Sequence, residues 1–499
     1  MTIALFEESL PAEFKILITA TDMLWEIEED QIEQIVDGLV KSVETKLLTN
    51  KDIAMMIDYV CSKRCKKSKL YLQTIKDFAS RQNFIIPPKC IENSDELKAL
   101  LLIENLIHGA LPDQYIGKSE EEIFQICKKG SVLHALLWDD LEEIQQFSFN
   151  VDFDFNRRIQ GLSLIEHAAK NGSVNCFKYL VSNDARISSE TLQLAYLGND
   201  FEIIHSAEVV AETDELCLKN AVMSHYYDAA YYLHDKYLFE YKWDWALRSY
   251  NFSMFFNKLY ESDNVDNKDS DGETAFLCAT RLGLRSICEM LIAKGANIEE
   301  RDREGNTPLI IAARDNIIDV FDLLIENHAN VNAQNDKNFS ALMYASENDY
   351  MNIIEKLFEN KASVDLFNIY GCSALMLACR ENRLDVVKLL IKKHAYIERR
   401  STEGYTSIML AVQNNNIQIV KLLIDNRANL EARTNDGFTA LMIACEHNYV
   451  EIVKLLLENK ATIDATDMYG FNSYILASRY KHTEVIKLLK KYNNKCRIC

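Results

Sequence analysis

The stretch NDGFTALMIACEHN, residues 435–448, reads as a tight turn followed by a short helix and a second turn. Gly437 supplies a turn position with φ > 0, and the Thr439 hydroxyl, two residues on, sits where it caps the helix. Ala444 marks a place where two helices approach closely, since a larger side chain would force them apart. Asn448 tolerates the left-handed conformation needed to reverse the chain. A second helix follows over residues 449–459, with Val450, Val453, Leu456 and Leu457 forming a stripe at helical spacing.

Outward from this stretch the same unit recurs. Gly272, Gly305, Gly371, Gly404, Gly437 and Gly470 lie on one comb of 33 residues, with Asn338 filling the missing tooth. Seven residues after each tooth stands alanine: Ala279, Ala312, Ala345, Ala378, Ala411, Ala444 and Ala477. Nineteen residues after each stands leucine, from Leu291 and Leu324 to Leu456 and Leu489. The capping hydroxyl recurs as Thr274, Thr307, Ser340, Ser373, Thr406 and Thr439. The inter-helix turn recurs as Gly283, Asn316, Asn382, Asn415 and Asn448. A fixed period of this length is the mark of a repeat architecture, and it voids any domain count made from length alone.

These units resemble ankyrin repeats, in which a β-turn finger and two antiparallel helices occupy each period. The resemblance implies an all-α ankyrin-repeat solenoid. Thr307-Pro308-Leu309-Ile310 keeps the family's proline; no copy keeps its histidine, and Met343, Met376, Met409 and Met442 stand there instead. Seven regular repeats span residues 269–499. Upstream, Gly161, Ala168, Gly172, Leu180 and Ala185 fit one period, while Ala195, Ala221 and Ala246 recur at spacings too short for a full finger. This predicts about five degenerate repeats over residues 130–268. Residues 87–129 read as a connecting helical segment opened by Pro87-Pro88, which breaks the helical pattern. Residues 1–86 read as a helical N-terminal region, the natural cap for one end of a stack whose units cannot bury their own apolar faces. The layout resembles a large protist family with a helical N-terminal region and weak repeats before regular ankyrins, a resemblance that implies no known activity.

Composition bounds the function. Lys+Arg minus Asp+Glu is 55 − 75 = −20 over 499 residues, which weighs against a main role in gripping nucleic-acid phosphates. The densest positive run, Lys63-Arg64-Cys65-Lys66-Lys67-Ser68-Lys69, reads as a solvated helix turn. No long uncharged apolar run occurs, and thirteen scattered cysteines read as free thiols in a reducing compartment. These features predict a cytoplasmic protein, with a monomer favoured.

No motif carries chemistry. Gly117-Lys118-Ser119 resembles the end of a phosphate-binding loop, but Pro112 occupies the position that requires the motif's first glycine. Cys61 and Cys65, and Cys496 and Cys499, make two close pairs at opposite ends of the chain, where they cannot converge on one zinc. The expectation is therefore no enzyme activity, no cofactor and no metal. The tetrapeptide Cys496-Arg497-Ile498-Cys499 has the outline of a prenylation signal behind Lys487, Lys490, Lys491 and Lys495. It supports an alternative, a peripheral membrane adaptor lipidated at Cys496.

The leading expectation is a scaffold that binds a protein partner along the concave face, where the resemblance places the finger tips and first helices. The residues flanking the turn glycines change from polar and acidic tips in the first two repeats to largely aromatic ones later. Phe339, Tyr405, Phe438 and Phe471, after the turn position, divide between packing on the next finger and contacting a partner. Tyr370 and Tyr469, before it, point to solvent. Arg314, Glu347, Arg380, Gln413, Glu446 and Arg479 on the first helices form a polar rim. Aromatic side chains supply large contact area at low entropic cost, which makes them the expected anchors.

Overall fold

The computed structural model describes residues 12–87, 90, 91, 93–103, 107, 130–150 and 152–496. Its architecture is an all-α solenoid, with 29 α-helices among the described residues. It divides into two compact units, Met1–Ala296 and Asn297–Cys499.

The second unit holds six helix pairs: Pro308–Arg314 with Ile318–Glu326, Ala341–Asn348 with Met351–Glu359, Ala374–Arg380 with Leu384–Lys392, Ser407–Gln413 with Ile417–Asp425, Ala440–Glu446 with Val450–Glu458, and Ser473–Arg479 with Thr483–Cys496. The alanine and leucine columns are buried throughout. Thr307, Ser340, Ser373 and Thr439 each accept from the backbone N–H three residues on. Thr406 departs from this: its hydroxyl caps nothing and is buried without a partner. Asn316, Asn382, Asn415 and Asn448 all turn the chain at φ of 57–60°. The methionines in place of the family's histidine are buried, and the sulfur of Met442 accepts from the Thr439 N–H at 3.4 Å.

One column escapes the comb analysis. Asp302, Asn335, Asn368, Ser401, Thr434 and Asp467 lie three residues before each tooth and fold the finger from within. Asn368 Oδ1 accepts from the N–H groups of Tyr370 and Cys372, both at 3.0 Å, and Asp467 Oδ1 accepts from Tyr469 and Phe471 at 2.9 and 2.8 Å.

The first unit is built differently. Among the described residues, five N-terminal helices, α1 (Ala12–Trp25), α2 (Ile32–Glu44), α3 (Asn50–Lys63), α4 (Ser68–Arg81) and α5 (Asp95–Ile103), precede six helix pairs. Those pairs run from Val132–Trp138 with Leu141–Ser148 to Ala275–Leu282 with Arg285–Ala293. Among their described residues one finger pairs Arg158–Ile159 with Leu162–Ser163, and another is closed by the Asp269 N–H donating to the Glu273 carbonyl at 2.9 Å. Between Glu208 and Glu215, and between Tyr237 and Trp243, the connections are too short to hold a finger.

The N-terminal helices reach several successive repeats instead of closing one end. Lys66 Nζ donates to the Asn171 carbonyl at 3.0 Å, and the Trp25 ring stacks on His225 with centroids 4.5 Å apart. Phe14 meets Phe256 edge-on at 4.9 Å, and Ser286 Oγ donates to the Lys46 carbonyl. His225 Nε2 donates to the Ser249 carbonyl at 3.1 Å, while Tyr227 donates its hydroxyl to Asp22. A degenerate repeat without fingers leaves apolar surface uncovered, and rings of α1 and α3 meet it, as where Tyr59 of α3 lies edge-on to Tyr250.

The first regular period also belongs to this unit, although periodicity alone draws the boundary at residue 269. The Trp243 backbone N–H donates to Asp269 at 3.1 Å, its indole N–H donates to the Asn267 carbonyl at 3.2 Å, and Lys242 pairs with Asp271 at 2.9 Å.

Candidate partner-binding surface

In the second unit the fingers are joined edge to edge. The residue before each turn position accepts at its carbonyl from an N–H of the next finger: Glu304 from Asp336 at 3.1 Å, Lys337 from Ile369 at 3.1 Å, Tyr370 from Thr402 at 2.9 Å, Glu403 from Asn435 at 2.9 Å and Asp436 from Met468 at 2.9 Å. A second ladder runs through side chains: Glu299, Asn332, Asp365, Glu398 and Glu431 each accept from a backbone N–H one period on. Each such bond contributes about 0.5–1.5 kcal/mol, and the two rows together fix the fingers in register. At Gly437, with φ 85°, an added Cβ would stand 3.0 Å from the Cα of Asp467, so the next finger needs glycine there.

This backbone row sets the tip side chains in a fixed order. Ile369 and Tyr370 are exposed, Glu403 and Asp436 follow, and Met468 and Tyr469 are exposed again. Tyr370 is 52% and Tyr469 72% accessible, although the N–H of each donates to the side chain two residues back and the Tyr370 carbonyl accepts from Thr402. Tyr405 lies half-buried between them, its phenol pushed up by burial and by the nearby carboxylates of Glu403, Asp436 and Glu446. Beyond the charged tips Glu304 and Lys337, the row therefore reads apolar, acidic, apolar.

The other sequence candidates separate cleanly. Phe438 and Phe471 pack on the buried cluster of Met442, Ala465 and Leu476, and Phe339 stacks on Tyr344 at 5.0 Å. These three rings are largely committed to the fold. On the first helices, Arg380 is paired with Glu347 at 2.6 Å and Glu381 at 2.8 Å, and Arg314 with Asp315 at 2.9 Å and Glu304 at 3.8 Å. Gln413 is exposed, Glu446 half-buried, and Arg479 lies 5.9 Å from the ring centroids of both Phe471 and Tyr480. Residue types alone do not reveal which arginines are already paired.

Much of the basic run near α3 also works within the fold. Arg64 lies 5.6 Å over the Trp25 ring, and Lys67 donates to the Ile27 carbonyl and to Glu28, both at 2.8 Å. Gly117-Lys118-Ser119 and the tail beyond Cys496 lie outside the described residues, as does the Cys496 side chain. Among the described residues, no group of three or more His, Cys, Asp or Glu side chains could hold a metal ion, and no helix is long and apolar enough to cross a membrane. Cys61, Cys379 and Cys445 are buried; burial pushes the Cys445 thiol up to about 12 and that of Cys379 higher still, which leaves both unreactive.

No curated protein matches the chain. A family model for ankyrin repeats matches in three copies, over residues 244–335, 322–401 and 408–498, and a domain of unknown function (DUF3447) matches residues 183–258. With the period, the fingers and the paired helices already in view, these matches close the question of family: the chain is an ankyrin-repeat protein.

Proposed function

We propose that residues 297–499 form a non-catalytic scaffold, acting in the cytoplasm, that binds a protein partner along its fingers and first helices. Ankyrin repeats are in general protein–protein interaction modules, which supports the class of function. The observation that carries the finer reading is the order of the finger tips. Ile369-Tyr370 and Met468-Tyr469 are exposed apolar pairs on the hydrogen-bonded row of fingers, and Glu403 and Asp436 stand between. A preformed surface loses little entropy on binding, so its exposed aromatics act as anchors. The partner that fits carries a basic centre with apolar side chains on either side.

The test is affinity capture with mass spectrometry from the native cell type. It compares the wild type, the double variant Tyr370→Ser/Tyr469→Ser, and Tyr396→Ser, an exposed tyrosine away from the finger tips. A partner lost only from the double variant, at unchanged helicity, supports the reading. The same partners on all three proteins contradict it.

A further inference from the structure

A cavity of about 410 Å³ opens in the first unit between the helices Phe201–Glu208 and Tyr227–Tyr237. Its walls are aromatic and acidic. Tyr196 is buried and donates its hydroxyl to Glu208 Oε1 at 2.7 Å. Phe201, 70% accessible and stacked on His205, and Tyr232, 44% accessible, stand at the mouth, and Tyr226, Asp228, Ala229, Ile204 and His205 complete the lining. Among the described residues, no lysine or arginine lines it.

The electrostatics agree with the composition. The Tyr196 phenol is held up by burial and then by Glu208, and the Tyr226 phenol by burial and then by Asp228 and Asp200. Burial is the larger cause at both phenols, and the negative charge of the cavity comes from the Glu208 and Asp228 carboxylates in its lining. The rings add the negative faces of their π systems, which attract cations. The Tyr232 ring already meets one cation of the chain: the Lys236 ammonium lies 4.8 Å from its centroid and also donates to its hydroxyl. A bare ammonium is strongly hydrated and gains little in an apolar cavity, whereas an alkylated one sheds its water readily and keeps its charge.

We propose that this cavity binds an alkylated ammonium group, held against Phe201, Tyr226 and Tyr232 and balanced by Glu208 and Asp228. The group could arrive on a small quaternary amine or on a trimethylated lysine, and the cavity is large enough to take the headgroup with part of its chain. The site lies in the stretch that matches the domain of unknown function and stands independently of the finger surface.

Calorimetry on the full chain tests it with three probes: choline, the uncharged isostere with carbon in place of nitrogen, and a short peptide carrying trimethyl-lysine. Choline or the peptide is expected to bind about tenfold more tightly than the isostere. Tyr232→Ala, Phe201→Ala and Asp228→Asn should each weaken that binding by about three- to tenfold at unchanged helicity. Tighter binding of the peptide than of choline assigns the cation to a protein, and the reverse assigns it to a small molecule; either supports the proposal. Equal binding of choline and its isostere, no binding of either cation, or full affinity in all three variants overturns it.

Discussion

The two units meet one physical demand in two ways. A repeat cannot bury its own apolar face. In residues 297–499 neighbouring repeats cover it, helped by fingers whose hydrogen bonds link positions one period apart. In residues 12–296 most of the fingers are gone, and contacts between distant segments replace them, as where Asp22 meets Tyr227 and His225. Both units expose some aromatic rings, Phe201 and Tyr232 in the first among them, but they differ in what ties their segments together. The first unit turns Trp25, Phe255 and Trp243 inward to hold itself together. The second holds itself by backbone bonds and leaves Tyr370 and Tyr469 outside.

The sharpest way to separate the units is alkali. Burial raises the phenols of Tyr59, Tyr196, Tyr227, Tyr241 and Tyr250 in the first unit, and takes the thiols of Cys217 and Cys288 to about 12. The unfolded chain loses these protons from about pH 9 for thiols and about pH 10 for phenols. Above those values the folded state holds more protons than the unfolded state, so stability is intact below pH 9 and falls as pH rises. The second unit carries only the half-buried Tyr344 and Tyr405 among shifted phenols, besides its buried thiols. The first unit should therefore unfold outright at a lower pH than the second. All four tryptophans, Trp25, Trp138, Trp243 and Trp245, lie in the first unit, so fluorescence follows it alone while far-ultraviolet circular dichroism follows both. Coincident transitions would erase the distinction.

Trp25→Ala should cost the first unit about 3–5 kcal/mol, the usual range for truncating a buried large aromatic. The remaining tryptophans report this in urea, and the transition of the second unit should not move. A smaller effect comes from glycine. Gly437→Ala forces both a left-handed alanine and a contact with the next finger, whereas Gly470, at φ 80°, has no atom within 4 Å of an added Cβ. Both substitutions should cost about 1–2 kcal/mol for the backbone, and Gly437→Ala more by the price of parting two fingers. Equal losses would show that the fingers are not closely joined. Smallest is the cap: Thr439→Ala should lose about 1 kcal/mol, while Thr406→Val, which removes a buried hydroxyl without a partner, should be neutral or stabilising in the same urea titration.

The regular repeats were legible because each column meets a demand that only one or two residue types satisfy. Alanine alone fits between close helices, and glycine or asparagine turns at positive φ. The finger acceptors at Asp302, Asn335, Asn368, Ser401, Thr434 and Asp467 were missed because any short oxygen-bearing side chain serves, so the identity varies while the role does not. A scan for acceptor chemistry, not identity, would have found them. Position relative to the turn glycine sets Tyr370 apart from Phe438 in the sequence, but only the fold shows that Phe438 packs on the cluster holding Leu476. The docking of α1 on the degenerate repeats left no trace in the sequence, since Asp22 and His225 share no period and no motif. The same holds for Tyr196, Tyr226 and Tyr232, which converge on one cavity from separate helices.

Hydrogen–deuterium exchange on the full chain and on Trp25→Ala tests most directly that the N-terminal helices hold the degenerate repeats while the regular ones hold themselves. The account predicts faster exchange in the variant across residues 189–261, with protection over residues 297–496 unchanged. Unchanged protection over residues 189–261, or loss spread evenly along the chain, would contradict it.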